Sequence, residues 1–313
     1  MQSTCTLCKR RNASYSRRYS GEKLCSQCFC NSIEKKTKAT IAKHDMLRFD
    51  DQIAVGLSGG KDSVTLLNIL YKLEDTFPRT RLIAVTVDEG IAKYRDEALR
   101  IAEKSCQNLG IEQVVVSFRE LFGYSLDEIV ERLCERKTAH SAITPCSYCG
   151  VLRRRALNIA ALSSGATKLA TAHNLDDENQ TLLLNILRGD LFRMGRARSH
   201  PTSKRARFAQ RIKPFCEILE KETTFYAFLK GIEFQNTPCP YSSAAMRNDI
   251  RIMLNKLEER HPGLKYTLHH SAEKLKSLMK NASNREGLST CRLCNEPSAH
   301  EICQPCKILL ELR

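Results

Sequence analysis

Three groups of residues in this sequence are spaced for chemistry. The first is the turn Ser58-Gly59-Gly60-Lys61-Asp62-Ser63, set between the apolar run Ile53-Ala-Val-Gly56-Leu57 and the stretch Val64-Thr-Leu-Leu-Asn-Ile-Leu70. The run before it reads as a buried strand and the stretch after it as a helix. Gly59 and Gly60 let the backbone approach a phosphate with no side chain in the way, and Ser58 and Ser63 add hydroxyl donors. The helix N-terminus then offers free N–H groups and its positive dipole end to the anion. A Walker A loop would need glycine five residues before Gly60 and Ser or Thr directly after the lysine. Val55 and Asp62 stand there instead, so this is a nucleotide turn of another kind.

The second group is cysteine. Fifteen cysteines are many for an intracellular chain, but four CxxC pairs at the ends and a fifth in the middle follow the spacing of metal sites in a reducing compartment. Cys5-x2-Cys8 with Cys25-x2-Cys28, and Cys291-x2-Cys294 with Cys303-x2-Cys306, each supply four thiolates in two knuckles. Tetrahedral zinc demands this arrangement, and four thiolates leave no open coordination position, so both sites read as structural. Metal binding also gives such short segments folding energy that no core provides. Cys30 lies near enough to stand in for Cys28. The middle pair, Pro145-Cys146-Ser-Tyr-Cys149-Gly150, has no second pair beside it, and Cys239, between Pro238 and Pro240, is a third candidate ligand. Three cysteines leave a redox cluster with an open corner or a zinc with an open site, and spacing alone does not choose between a structural zinc and a catalytic cluster. Arg153, Arg154 and Arg155 follow and would stabilise thiolates. Cys106, Cys134 and Cys216 sit in apolar patterns and read as core.

The third group is Ala170-Thr-Ala-His173-Asn174-Leu-Asp176-Asp177-Glu178-Asn-Gln-Thr181, where an apolar strand ends and polar residues open a helix expected over Leu182–Leu187. Adjacent carboxylates at a strand's C-terminal end suit a Mg²⁺ that bridges ATP phosphates, and equally suit helix capping. Asp177 is the favoured ligand, because this turn should lie beside Ser58–Ser63 on the same sheet edge.

Positioning these groups needs an alternation of strands and helices. Ile53–Leu57, Leu82–Val87, Val114–Phe118 and Lys168–Ala172 read as strands, with helices over Val64–Leu73, Tyr94–Leu109 and Leu126–Arg136 between them. That pattern predicts an α/β fold, a doubly wound parallel sheet with ligands at the strand ends. The expected organisation is an N-terminal zinc module over 1–45, a nucleotide domain over 46–216, a helical RNA-binding region over 217–285 and a C-terminal zinc module over 286–313. Lys and Arg number 50 against 35 acids, a net charge of +15. A polyanionic partner follows, and with no apolar run of transmembrane length, nucleic acid is favoured over membrane and the cytoplasm over other compartments. The stretch 188–213 concentrates Arg188, Arg193, Arg196, Arg198, Lys204, Arg205, Arg207, Arg211 and Lys213 against Asp190 alone, and reads as a loop that follows phosphates.

The residues of Ser58–Ser63 resemble the PP-loop of ATP pyrophosphatases, which cleave ATP between the α and β phosphates and adenylate a substrate oxygen. With the terminal knuckles, the CxxCG and its arginines, His173–Glu178 and the isolated Pro-Cys239-Pro, the whole chain resembles the TtuA-like and wobble-uridine (Ncs/Ctu type) tRNA 2-thiouridine synthetases. The resemblance implies an adenine nucleotide alpha hydrolase-like fold and a homodimer acting on tRNA. ATP and Mg²⁺ would bind at Gly56, Leu57, Ser58, Gly59, Gly60, Lys61, Asp62, Ser63, Val87, His173 and Asp177. Cys146, Cys149 and Cys239 would hold a 4Fe-4S cluster whose fourth iron binds sulfide, with Asp62, Arg153 and Asp177 completing the catalytic set. The sulfur donor would be a ubiquitin-like thiocarboxylate protein or free sulfide. Two positions depart from the family pattern. Cys28 stands where some relatives have histidine, and Arg153 stands where some have lysine, which leaves that position a charge-stabilising role only. The charged fraction of 27% favours the wobble uridine over the T-loop uridine, whose thiolation is a heat-stability device. Competing readings are an ammonia-using PP-loop ligase, a cluster-free thiolase cycling Cys146 and Cys239 through a disulfide, and a non-catalytic zinc protein that binds tRNA.

Overall fold

The computed structural model describes residues 3–74, 80–135, 144–190, 208–242, 246–282 and 289–312. A hairpin of β1 (Tyr15–Arg17) and β2 (Glu22–Leu24) opens the chain and leads into the helix α1 (Ser26–Lys43). The central sheet follows, built from segments apolar enough to be covered on both faces, as parallel strands must be. β3 (Gln52–Gly56) buries Ile53, Ala54 and Val55, and β4 (Arg81–Asp88) buries every residue from Leu82 to Val87. β5 (Glu112–Ser117), β6 (Lys168–Ala170) and β7 (Gln210–Ile212) complete a parallel sheet of order β5-β4-β3-β6-β7. The chain thus starts in the middle, runs out to β5, and returns to fill the other side from β6. The reversal falls between β3 and β6, which pair with Val55 opposite Ala170. In doubly wound sheets this crevice is where ligands bind.

Helices α2 (Lys61–Glu74), α3 (Arg95–Leu109), α4 (Phe118–Phe122), α5 (Leu126–Glu135), α6 (Pro145–Ser163) and α7 (Leu175–Leu187) connect the strands. On one face of the sheet Leu66, Ile69, Leu70 and Ile101 join Phe29 and Ile33 of α1 in a single apolar core. On the other, Ala160 and Ala161 of α6 lie against Ala54 and Val85. After β7 come α8 (Glu220–Leu229), which packs on both α1 and α2, and then α9 (Met246–Arg260) and α10 (Leu264–Ala282), which pack on α7. A small hairpin, β8 (Ser289–Thr290) with β9 (Pro297–Ser298), and α11 (Gln304–Glu311) close the chain, and Ile308 and Leu312 pack into the apolar cluster around Leu152 of α6.

Four expectations from the sequence change here. α2 begins at Lys61 rather than Val64, so Lys61, Asp62 and Ser63 form its first turn. α7 begins at Leu175 rather than Leu182: Asn174 and Asp177 cap each other's backbone N–H, and three acids in the first turn suit the helix dipole. Within the basic stretch, Gln210–Ile212 is an edge strand, whereas 191–207, with Arg193, Arg196, Arg198, Lys204, Arg205 and Arg207, lies outside the described residues. Cys106 and Cys216 are buried as expected, but Cys134 is exposed.

Candidate active site

The nucleotide turn is built by its own hydroxyls and by the helix behind it. Ser58 N–H donates to Ser63 Oγ at 3.1 Å, and Ser63 Oγ donates to the Gly60 carbonyl at 2.9 Å. Gly59 has φ of 82°, and a Cβ there would sit 2.3 Å from the carbonyl oxygen of Ala98. Only glycine lets α3 come so close, leaving the outer side of the turn open to a phosphate. Arg95 ties this turn to β4, donating to the Ser58 carbonyl at 3.1 Å and to the Val87 carbonyl at 2.6 Å. Leu57 and Val87 themselves are core side chains and contribute only backbone here. The Gln235 N–H donates to the Gly59 carbonyl at 2.9 Å and brings the segment before Cys239 over the turn.

Lys61 Nζ lies 2.7 Å from Asp62 Oδ2 and 3.0 Å from Glu220 Oε1. Burial works against its charge, and the two carboxylates more than offset that. The hydroxyl of Thr223 donates to the other oxygen of Asp62. The first turn of α8 therefore grips the first turn of α2.

The two adjacent aspartates after β6 have different tasks. Asp176 is buried, pairs with Lys265 and accepts the Glu220 N–H at 2.8 Å, so it ties α7 to α8 and α10. Asp177 points the other way. Burial, and then the charge of Asp62, push its carboxyl up to about 6 against backbone hydrogen bonding at Asn174. Two carboxylates sharing one space, one of them raised by the other, suit a divalent cation between them. Arg247 Nη1 approaches Asp177 Oδ1 at 3.5 Å, and its Nη2 donates to Thr181 at 3.0 Å. His173 is exposed, with Nδ1 3.0 Å from Thr171 Oγ1.

Cys146 and Cys149 lie in the first two turns of α6, whose N-terminus opens on Pro145, a residue that loses nothing at that position. The helix dipole there favours thiolates. Cys149 Sγ accepts from Arg153 Nη2 at 2.9 Å, and the Cys146 thiol donates to the Tyr241 carbonyl at 3.2 Å. Tyr241 OH donates to Asp127 at 2.7 Å and so fixes the segment that carries Cys239. Burial raises both thiols, and the charge of Cys239 raises Cys146 further. Among the described residues, the groups whose ligand atoms all lie within 4.8 Å of one another are Cys5, Cys8, Cys25, Cys28 and Cys291, Cys294, Cys303, Cys306. The middle three spread wider. Tetrahedral zinc at about 2.3 Å from each sulfur needs them roughly 4 Å apart. A cubane binds each cysteine through a different iron and so does not require its ligands to converge in that way.

In the terminal sets Cys8 and Cys25 are 3.9 Å apart, and Cys294 and Cys303 are 3.6 Å apart. For Cys5, burial is outweighed by hydrogen bonds from backbone N–H groups, which bring the thiol down to about 6; Cys291, hydrogen-bonded first by the Cys303 backbone, also falls to about 6. Cys28 completes the first set, and Cys30 belongs instead to the apolar core. Residues that the sequence did not single out are Glu89, Arg95, Glu220, Thr223 and Arg247. They reach the site from distant segments, and no local motif marks them.

A PP-loop domain model matches residues 30–258. The chain is 38% identical to the tRNA 2-thiolation protein NcsA of Haloferax volcanii, covering 93% of this chain and 94% of that protein. It is 34% identical to the cytoplasmic tRNA 2-thiolation protein 1 of Chlamydomonas reinhardtii, covering 97% and 84%. The chain belongs to the PP-loop tRNA 2-thiolation family. Its fold superposes on that of another member, the U34-tRNA thiolase NcsA from Methanococcus maripaludis with its [4Fe-4S] cluster, with a TM-score of 0.83 at 33% identity over 97% of this chain and 95% of that one. None of the described helices is long and apolar enough to cross a membrane.

Proposed function

We propose that this chain is a tRNA-uridine 2-sulfurtransferase that converts ATP to AMP and pyrophosphate. The observation that carries the reading is the placement of the turn Ser58–Ser63 beside Asp177 at the strand reversal, with the middle cysteines joined to that turn through side chains. The C2 carbonyl of uracil is a poor electrophile, so its oxygen must first become a leaving group. Gly59 and Gly60 receive the phosphates of ATP, and Lys61 exchanges the carboxylate of Glu220 for phosphate oxygens. Asp62 and Asp177 supply the oxygens for Mg²⁺. Attack of the C2 oxygen on the α-phosphorus expels pyrophosphate and leaves an adenylated uridine. Cys146, Cys149 and Cys239 would hold a 4Fe-4S cluster, which would supply sulfide-level sulfur for the displacement of AMP from C2. Arg153 stays protonated and offsets the negative charge gathered there.

The same reading assigns structural Zn²⁺ to both terminal sets, the cytoplasm as compartment and a homodimer as the working unit. It takes a thiocarboxylate carrier protein or free sulfide as donor and the wobble uridine as target. The Methanococcus maripaludis relative, a U34-tRNA thiolase, supports the last assignment. The test is anaerobic incubation with tRNA, a sulfide source and ATP labelled at the α phosphate. Labelled AMP formed in step with 2-thiouridine is expected. Labelled ADP as the product would exclude the reading.

A further inference from the structure

Between the cysteines and the nucleotide turn runs an unbroken chain of charged side chains. Arg153 donates through Nη2 to Cys149 at 2.9 Å, and its Nε lies 2.6 Å from Glu89 Oε1. Glu89 Oε2 lies 2.8 Å from Arg95 Nε, and Arg95 Nη1 donates to the Ser58 carbonyl at 3.1 Å. One carboxylate thus sits between two guanidiniums, one held on the cluster ligand and the other on the phosphate turn.

Glu89 is well placed to transmit a shift. Its side chain is 4% exposed and that of Arg95 6%, so water screens their interaction little. The backbone of Glu89 is fixed: its carbonyl accepts the Leu126 N–H at 2.7 Å, and Gly90, at φ of 69°, packs so tightly on Ser125 that a Cβ would lie 2.6 Å from Ser125 Cβ. Arg95 is fixed by two backbone carbonyls. Arg153, 45% exposed, is the freer member. The contact between Glu89 and Arg95 is ionic, since Glu89 Oε2 and Arg95 Nε make no aligned hydrogen bond. Of the three side chains, Arg153 is therefore the one with room to change position.

We propose that Glu89 is a positioning residue that couples occupancy of the nucleotide turn to the state of the middle cysteines. The inference rests on the assignment of those two sites under the proposed function. Its consequence is ordering: the side chain that supports the sulfur-bearing centre responds when ATP is seated. Coupling of this kind is reciprocal, so the cysteine site must also change nucleotide affinity, typically by about 5-fold or more.

The test measures binding of α,β-methylene-ATP, which the enzyme cannot cleave, to anaerobic full-length protein with and without its reconstituted cluster. The wild type is expected to show a ratio of dissociation constants of about 5 or more between the two forms. Glu89→Gln keeps the shape but removes the charge. It should retain iron and its thiolate-to-iron absorbance and still bind the analogue, while the ratio collapses to below about 2. The same variant should lose the effect of the analogue on alkylation of Cys149 in the cluster-free protein. If Glu89→Gln does not fold, Arg153→Lys breaks the chain at its exposed end, because an ammonium cannot span both partners as the guanidinium fork does. A wild-type ratio near 1, or an unchanged ratio in the variant that folds, overturns the coupling and leaves both site assignments standing. A wild type that binds neither nucleotide nor iron overturns the assignments and the coupling together.

Discussion

In the terminal sets four sulfurs converge, with Cys8 and Cys25 at 3.9 Å and Cys294 and Cys303 at 3.6 Å, and backbone N–H groups already lower the thiols of Cys5 and Cys291 to about 6. Burial raises Cys28, Cys303 and Cys306 of those sets, as it does Cys146 and Cys149 in the middle. Neither of the middle two, however, is brought down by backbone N–H groups as Cys5 and Cys291 are, and Cys149 has Arg153 as its side-chain donor. Short hairpins such as β8 and β9 have almost no core of their own, so a metal bound there would substitute for packing. α6, in contrast, is anchored by Leu152, Ala156, Ala160 and Ala161 whether or not its cysteines are occupied. The same side chain serves stability where the scaffold is weak and chemistry where the scaffold is already complete.

Serine substitution separates the two most sharply. Cys239→Ser should bring thiolation to background while leaving the melting temperature within about 2 °C of wild type, because Cys239 only flanks its apolar cluster, partly buried, and serine keeps nearly the same volume. Cys291→Ser should lose one zinc and lower the melting temperature by more than about 5 °C, since structural zinc contributes up to about 10–16 kcal/mol to small modules. Metal analysis and calorimetry on both variants decide the matter. If Cys239→Ser melts low and Cys291→Ser does not, the roles are reversed.

A carboxylate in the catalytic region should show the reverse trade. The folded-state pKa of Asp177, about 6, lies above its ordinary 3.8, so the folded protein binds that proton more tightly than the unfolded chain. Ionisation therefore costs stability above pH 6, and protonation between pH 6 and 4 removes the cost. Asp177→Asn should be more stable than wild type by about 1–3 kcal/mol at pH 8, and by little at pH 4. It should also lose Mg²⁺-dependent pyrophosphate release. Denaturant titrations at the two pH values check the sign; a variant less stable at pH 8 would contradict it.

The smallest effect belongs to the joint between the N-terminal module and the helices beyond the sheet. Glu217 is held down to about 2, first by His44 at 2.8 Å and also by Lys43 at 2.6 Å. A depressed carboxyl stabilises above its unfolded value of 4.5 and loses that contribution as pH falls through about 2. Glu217→Gln should cost about 1–2 kcal/mol at pH 7, reduced by the exposure of Lys43, with the difference vanishing at the acid end. Urea melts at pH 7 and pH 3 measure it, the difference at pH 3 being reduced to about half that at pH 7 because the folded carboxyl is not yet fully protonated there, and thiolation should be unaffected.

Where the sequence held its information locally, it could be read. The strand before the nucleotide turn was placed within a residue of Gln52–Gly56, because apolar residues on both sides of a sheet leave a continuous run. Both terminal sets follow from spacing, since a tetrahedral ion fixes the separation of its ligands. The helix starts at Lys61 and Leu175 are hidden in the sequence, because capping residues there look like loop polarity until their partners are known. The 19-residue helix carrying Cys146 and Cys149 leaves little sign in the sequence, because its first two turns, with proline, serine and two cysteines, have no amphipathic period. Glu220 stands 159 residues from Lys61, and Glu89 owes its importance to arginines on α3 and α6. Only the topology of the sheet brings such residues together, and one sequence does not display it.

The grip of Asp62 and Glu220 on Lys61 also matters for what the protein must refuse. A chain with a net charge of +15 that works on RNA offers its surface to any phosphodiester backbone. At the nucleotide turn that attraction is cancelled in advance: the one ammonium is flanked by two carboxylates, and a third, Asp177, stands behind Asp62. A diester that brings one negative charge per phosphate, and no tightly held cation, meets mostly repulsion there. A triphosphate arriving with its metal brings the counter-charge that those acids lack. The turn thus favours a metal-bound triphosphate over a bare phosphodiester backbone, while the base of an RNA can still approach the nucleotide seated there.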